Sequence, residues 1–515
     1  MNAHTAHAVA IAALVSLAAA APSGFAAAPA AAVAGTSAVR LLDRADMLMA
    51  WPRHGVVTLE YRGQLTRESH YERPHATRTL EALRRVYVAP GDRIRQDFST
   101  WVAGDTVLAV ETTLLINGHV LHRDDETAPW LELRGRRAAM AARFVRGVAP
   151  ALLLADARRH VANAALTRAG SADPALAWAD TSGRVWTLHF DGSNAAPTLF
   201  ESAAANDWEG DIADSTVFGA DRASAGLWAA QTLHTRTHES DDGWWLDERL
   251  QSVDWHESPA NAYESVNGPR GEEVMPAPAE ALPDTVPALL PLAPHVWALE
   301  LRDADTRSLL VEFADHLVVL DASAGSRQGE ALLATIRAQG PKKPVRLVAF
   351  SHYHPDYTGG LRPFLADSIP VLCAPGNAGY VREIAARRFT RRPDRLERRS
   401  HGRYVPQLQE LAPGGWTAAD SLNELRVIDI GRTSQHTDSY LVFVLPRAGI
   451  VFEGDLGYFT RNGKLVASRR ARGLVAALDA SGVRCDRVIQ GWPVQGNARE
   501  ITYRTLRELA APNQP

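Results

Sequence analysis

The segment 259–294 constrains the architecture more than any other. It holds eight prolines, at positions 259, 269, 276, 278, 283, 287, 291 and 294. Proline has no amide donor and a fixed φ, so this stretch can form neither a central strand nor a long helix. A chain of 515 residues also exceeds one ordinary domain. The segment therefore reads as an extended linker between a first domain at 40–258 and a second at 295–512. Its apolar residues Val286, Leu289, Leu290 and Leu292 predict that it lies ordered along a domain surface and that the two domains pack.

Charge divides at the same place. Residues 1–283 carry 25 basic and 35 acidic side chains, and residues 284–515 carry 30 and 24. Opposite fields of this kind favour docking of the halves, or steer an anion to the second half. Neither half has the basic patch with interleaved aromatics that a nucleic-acid partner requires. Cys373 and Cys485 are the only cysteines, too few for a disulfide scaffold or a four-cysteine zinc site. Residues 1–26 read as a signal peptide. Ala8–Ala21 is an apolar run of 14 residues, too short to span a bilayer, and Gly24-Phe25-Ala26 offers small residues to a signal peptidase. The leading stretch departs from that pattern in having no Lys or Arg. A periplasmic or secreted location is expected, with no integral membrane segment after signal removal.

The first domain reads as β-rich. Val57, Leu59 and Tyr61 alternate with polar residues, and Asn117-Gly118 marks a hairpin between two apolar runs, because both residues accept positive φ. Asp191-Gly192 and Asp241-Asp-Gly243 give similar signals. One helical stretch, Arg136–His160, interrupts the strands. The expected fold is an antiparallel, half-barrel-like sheet with a helix. Ten of the 13 tryptophans fall here, and they are assigned to core and cross-strand packing rather than to a ligand groove.

The second domain alternates strands and helices, an α/β pattern of sheets covered by helices. Val345–Phe350 is a short apolar strand, followed by His352, His354 and Asp356. Two imidazoles and a carboxylate at a strand end suit zinc or a similar ion. Thr358, Gly359 and Gly360 suit a tight turn into a helix.

Over roughly 295–510 the chain resembles the metallo-β-lactamase superfamily of metal-dependent hydrolases. Four elements carry the likeness, in order: His352-Tyr-His-Pro-Asp356-Tyr357, Ser434-Gln-His436-Thr, Phe452-Glu-Gly-Asp455, and Pro493-Val-Gln495-Gly496. The resemblance implies an αββα sandwich and a metal held by His352, His354 and His436, with Asp455 beside it. It also implies a second ion, held by Asp356, a histidine in place of Tyr357 and a histidine in place of Gln495. Both of those imidazoles are missing here. A phenol with a pKa of about 10 and a carboxamide are poor zinc ligands. One zinc ion is therefore expected, the second site being weak or absent.

The function expected from this resemblance is hydrolysis of an activated acyl bond in a small-molecule ester, thioester or lactone. Asp356 is the candidate general base and Tyr357 a candidate hydrogen-bond donor. The competing reading is a pseudo-enzyme that binds a ligand or partner through a degraded metal site. Arg387, Arg388, Arg391, Arg392, Arg395, Arg398, Arg399 and Arg403 form a basic run. It reads either as a solvated helix face or as a clamp for an anionic substrate group. The sequence carries no sign of oligomeric state.

Overall fold

The computed structural model describes residues 31–511 other than 53, 69–71, 91–92, 104–108, 126–127, 134, 169–170, 181–182, 223–227, 238–243, 258–269, 273–285, 458–467 and 495–498. The signal-peptide segment, much of the proline-rich segment, Asp241-Asp-Gly243 and Gln495 lie outside the described residues.

The alternating patterns of the first half form one open sheet of 14 strands among the described residues, antiparallel except at one edge strand. Its centre is Val56–Glu68, paired with Thr77–Ala89 on one side and Trp244–His256 on the other. Asn117 and Gly118 both take positive φ, 52° and 83°, and turn Ala109–Ile116 directly into His119–Arg123. Asp191-Gly192 does not make such a turn. Its loop runs on to Ala195, and Gly192 donates instead to the Ala172 carbonyl. The helical stretch is two helices, Gly135–Arg146 and Pro150–His160. Pro150 has no N–H to give to a continuing helix, but it suits the first turn of a new one. A further helix, Ala31–Met49, begins ahead of the expected domain start. Leu42 and Ala45 from that helix, Val145 from the second and Leu153 and Leu154 from the third pack on Leu59, Tyr61 and Val86 of the sheet. Trp130, Trp178 and Trp228 are buried, while Trp255 is 42% exposed.

The proline-rich segment is not uniformly a linker. Arg270–Glu272 adds a parallel edge strand beside Trp130–Leu133. Ala288–Ala293 is the edge strand of the next sheet, paired with Val296–Leu301. Pro291 is compatible with that place because an edge strand has a free side.

Among the described residues the second half contains a seven-stranded sheet over 288–410 and a six-stranded sheet over 416–502. Val296, Leu309, Leu320 and Ala349 of the first face Leu425, Leu441, Phe452 and Ile489 of the second in one buried layer. Helices Ser326–Gln339, Leu361–Ala366 and Ala378–Ala386 cover the outer face of the first sheet. Arg469–Ala480 and Tyr503–Ala510 cover that of the second. Among the described residues no helix is long and apolar enough to cross a membrane.

The halves meet through the turn Asn206–Gly210, the tip of a hairpin of the large sheet. Asp207 is buried and binds Arg392 at 2.6 Å and also Arg327. Asp211 accepts the backbone N–H groups of Thr390 and Arg391 at 2.8 and 2.9 Å. Gly210, at φ +84°, lies so close that a Cβ would sit 2.1 Å from the Arg388 carbonyl oxygen. The arginine run is largely exposed, as a solvated face would be, but several of its members are already paired. Arg388 pairs with Glu397, Arg395 with Asp367 and Glu330, and Arg392 docks the first half.

Candidate metal centre

Each candidate ligand follows a strand end or turn at one edge of the two facing sheets. His352 and His354 follow Val345–Ala349, and Asp455 follows Ile450–Glu453. Gln435, left-handed at φ 56°, turns the chain immediately before His436. The close approach requires glycine at 454, where a Cβ would meet the Tyr440 hydroxyl at 2.7 Å and the Ser351 hydroxyl at 2.9 Å. Gly359 and Gly360 allow close packing rather than a special φ. A Cβ on Gly359 would overlap the Ala324 carbonyl oxygen, and both glycines have negative φ.

The ligand atoms of His352, His354, His436 and Asp455 all lie within 4.8 Å of one another. All four residues are buried, at 0, 7, 7 and 5% exposure. His352 Nε2 is 3.0 Å from His354 Nδ1, and His436 Nε2 is 3.1 Å from Asp455 Oδ2. Burial, then the nearby His354, hold His352 well below the ordinary histidine pKa, and so in the neutral form that ligates. Burial alone would raise the Asp455 pKa. His436, His352 and Arg470 outweigh it and hold the carboxyl well below its usual range. Three imidazoles and one carboxylate around a point match a single zinc-like ion.

The second cation position is different. Asp356, half-buried in the short helix Pro355–Thr358, is not among the converged ligand atoms. The Tyr357 ring lies against His352, with ring centroids 4.3 Å apart. Burial, reinforced by Asp455, raises its phenol pKa well above the ordinary value, so it stays protonated. Gln495 is outside the described residues, although Val494 N–H is anchored on Asp305 Oδ1 at 2.8 Å. The described residues therefore fit one ion and do not fit a second.

Sequence reasoning missed several partners. Tyr440 stacks on His352 at 4.5 Å, donates to Asp455 Oδ1 at 3.1 Å and accepts the Asp455 N–H at 2.9 Å. Arg470 donates to Asp455 Oδ2 at 2.7 Å. Ser351 Oγ contacts His352 Nδ1 at 3.2 Å, while Ser351 N–H donates to Asp321. Burial pushes Asp321 and Glu453 up to about 8. Glu453 accepts the N–H groups of Leu456 and Gly457, fixing the turn that carries Asp455. Tyr440 had a weak signal, as the aromatic residue beginning a strand near His436. Arg470 had another, as one of three arginines in a helix first turn.

Residues 302–499 match the family described as the metallo-beta-lactamase superfamily. With the site's geometry, this places the second half of the chain in that superfamily. Among solved structures, the chain is similar to the metallo-beta-lactamase FIM-1 from Pseudomonas aeruginosa in its mono-zinc form. The identity is 19% over 44% of this chain and 95% of that one, with a TM-score of 0.33. A metallo-beta-lactamase from Pontibacter korlensis is 18% identical over 44% and 100%, at 0.32. The inverting sec-alkylsulfatase Pisa1 from Pseudomonas sp. is 20% identical over 41% and 39%, at 0.29. No curated protein matches the chain at a significant level.

Proposed function

We propose that the chain is an exported hydrolase that holds one zinc ion and cleaves an activated acyl bond in an ester, thioester or lactone. The observation that supports this most is the convergence of His352, His354, His436 and Asp455 within 4.8 Å, all buried. When bound, zinc supplies a polarised carbonyl and a nucleophilic water at neutral pH. The chain's own groups do the rest. The three histidines and Asp455 would hold the ion, and Tyr440 and Arg470 orient the Asp455 carboxylate. Asp356, two positions beyond His354 and half-buried, takes the proton. The protonated Tyr357 phenol is a donor beside the site. Phosphodiester cleavage leans on a two-ion clamp, and the donor set does not fit a second ion.

The second reading, a ligand-binding protein without turnover, draws on the same loss of second-ion donors at Tyr357. The test is elemental analysis of the dialysed full chain, with turnover on a panel of esters, thioesters, lactones and β-lactams. About one zinc per chain with acyl turnover supports the hydrolase. One zinc without turnover favours the binding protein, and two ions or none overturn the mononuclear site. Export is supported by the apolar run Ala8–Ala21 and is tested by N-terminal sequencing of chain recovered from the cell envelope.

A further inference from the structure

We infer that Arg470 is the second cation of this centre: its guanidinium brings a fixed positive charge to Asp455, the carboxylate of the converged ligand set. The inference rests on the metal-site reading above. Asp455 has both oxygens engaged. Oδ2 takes Arg470 Nη1 at 2.7 Å and faces His436 Nε2 at 3.1 Å. Oδ1 takes the Tyr440 hydroxyl at 3.1 Å and lies 3.9 Å from His352 Nε2. A carboxylate has about four lone-pair sites. Each oxygen of Asp455 faces one histidine and takes one further donor, Arg470 on Oδ2 and Tyr440 on Oδ1. A second ion on Asp455 would have to displace the guanidinium.

The helix that carries Arg470 gives an independent reason. Arg469–Ala480 has Arg469, Arg470 and Arg472 at its start and no acidic residue in its first turn. The N-terminal end of a helix is the positive end of its dipole, so cations are disfavoured there. Helix stability does not account for Arg470, whereas the ion pair with Asp455 does. The helix is also held firmly. Ser468 Oγ caps it by accepting the Ala471 N–H at 3.0 Å. Gly473 packs so closely on the His436 turn that a Cβ would lie 1.9 Å from the Thr433 carbonyl oxygen. The same helix therefore braces the His436 turn and aims Arg470 at Asp455. An arginine is permanently charged and planar, so it delivers fixed charge without a metal's exchange. With its side chain 22% exposed, Arg470 is only partly buried and reaches the rim of the site. It acts as a positioning residue for Asp455 and sets the ion count at one.

The test counts metal in the full chain after equilibrium dialysis with zinc. The samples are wild type, Arg470→Lys, Arg470→Ala, and Arg470→Ala combined with Tyr357→His, each checked for native circular dichroism. Wild type and Arg470→Lys bind one ion. Arg470→Ala keeps one ion, but turnover falls about 10- to 100-fold, the range for losing a group that orients a metal ligand. Its cobalt-substituted form shows a shifted visible spectrum, and Arg470→Lys restores the wild-type spectrum. The double variant, freed of the guanidinium and given an imidazole, binds a second ion. A folded double variant that stays at one ion overturns the inference. So does an Arg470→Ala protein whose cobalt spectrum matches wild type, and this arm stands if the double variant fails to fold. A wild type that binds no ion overturns the proposed function itself. One ion with no turnover removes the hydrolase reading and leaves the count and spectrum to decide on Arg470.

Discussion

Each half of the molecule buries an ionic cluster, and the two are built on different logic. In the first half, Arg84 and Glu248 are both essentially inaccessible and form two contacts, at 2.7 and 2.9 Å. The guanidinium lies over the Phe144 ring at 4.0 Å and near that of Phe98 at 5.6 Å. One cation meets one anion, and aromatic faces cover the pair. In the second half, three imidazoles and a carboxylate direct lone-pair atoms toward one another, and Arg470 brings fixed positive charge to the carboxylate. A matched pair is complete in itself. Converging ligand atoms are complementary only to something they surround, which is why the second cluster is read as a metal centre and the first as structure.

The largest expected effect sharpens that contrast. His436→Ala removes one of three imidazoles from the centre. Loss of a ligand should exceed the 10- to 100-fold penalty typical of groups that merely orient one. We expect turnover to fall by more than about 100-fold, with metal content near zero after dialysis. Folding should survive, since no strand or helix depends on this side chain. Retention of the full metal complement would remove His436 from the centre.

The matching change in the first half should give the opposite profile. Arg84→Ala leaves Glu248 buried and unpaired, which costs on the order of 3–5 kcal/mol. Urea denaturation should show that loss, while metal per folded chain stays as in the wild type. Replacing the pair together, Arg84→Met with Glu248→Leu, should recover most of it, because neither charge is then left alone. A fall in turnover without a fall in stability would make the first cluster functional and break the comparison.

The ligands were legible in the sequence because each sits just after an apolar strand or in a short turn, in a fixed order: His352, His354, His436, Asp455. The Asn117-Gly118 hairpin was legible for a similar reason, its turn chemistry being local. Arg470 and Tyr440 were not, because they reach Asp455 only after two sheets have packed and a helix has docked. The Asp207–Arg392 contact joins residues far apart in sequence, and an arginine run by itself cannot show which acid it will meet. Charge asymmetry between the halves did carry that information in coarse form. The break at Pro150 was present in the sequence, but the apolar periodicity on either side masked it.

The joint between the halves is a further place to test whether buried charge is structural. Asp207 is 4% exposed, but its partners Arg327 and Arg392 are 36% and 45% exposed and can rehydrate. Asp207→Ala should therefore cost less than Arg84→Ala, roughly 1–2 kcal/mol. The expected sign is faster limited proteolysis between the halves at unchanged metal content. Unaltered proteolysis would mean that the other contacts across the joint, those of Asp211 among them, suffice to hold it.

The smallest effect concerns pH at the same joint. His75, from the first half, bonds Glu383 of the second at 2.6 Å and Glu68 at 3.3 Å. Burial lowers the His75 pKa, but the Glu383 and Glu68 carboxylates more than offset it, so the net shift is upward. A histidine pKa raised by folding stabilises the folded state fully below its unfolded value of about 6.5. That contribution disappears as pH rises through the folded value. Both side chains are about half exposed, at 53% and 50%, so the contribution is small and screened by salt. The neighbouring bond from Asp438 N–H to the Glu72 carbonyl, at 2.6 Å, does not titrate and keeps the joint closed at high pH. His75→Gln should therefore be slightly less stable than wild type at pH 6 and equal to it at pH 9, with the difference shrinking in high salt. A deficit that persists at pH 9 would show that His75 contributes by packing against Tyr380 rather than by charge.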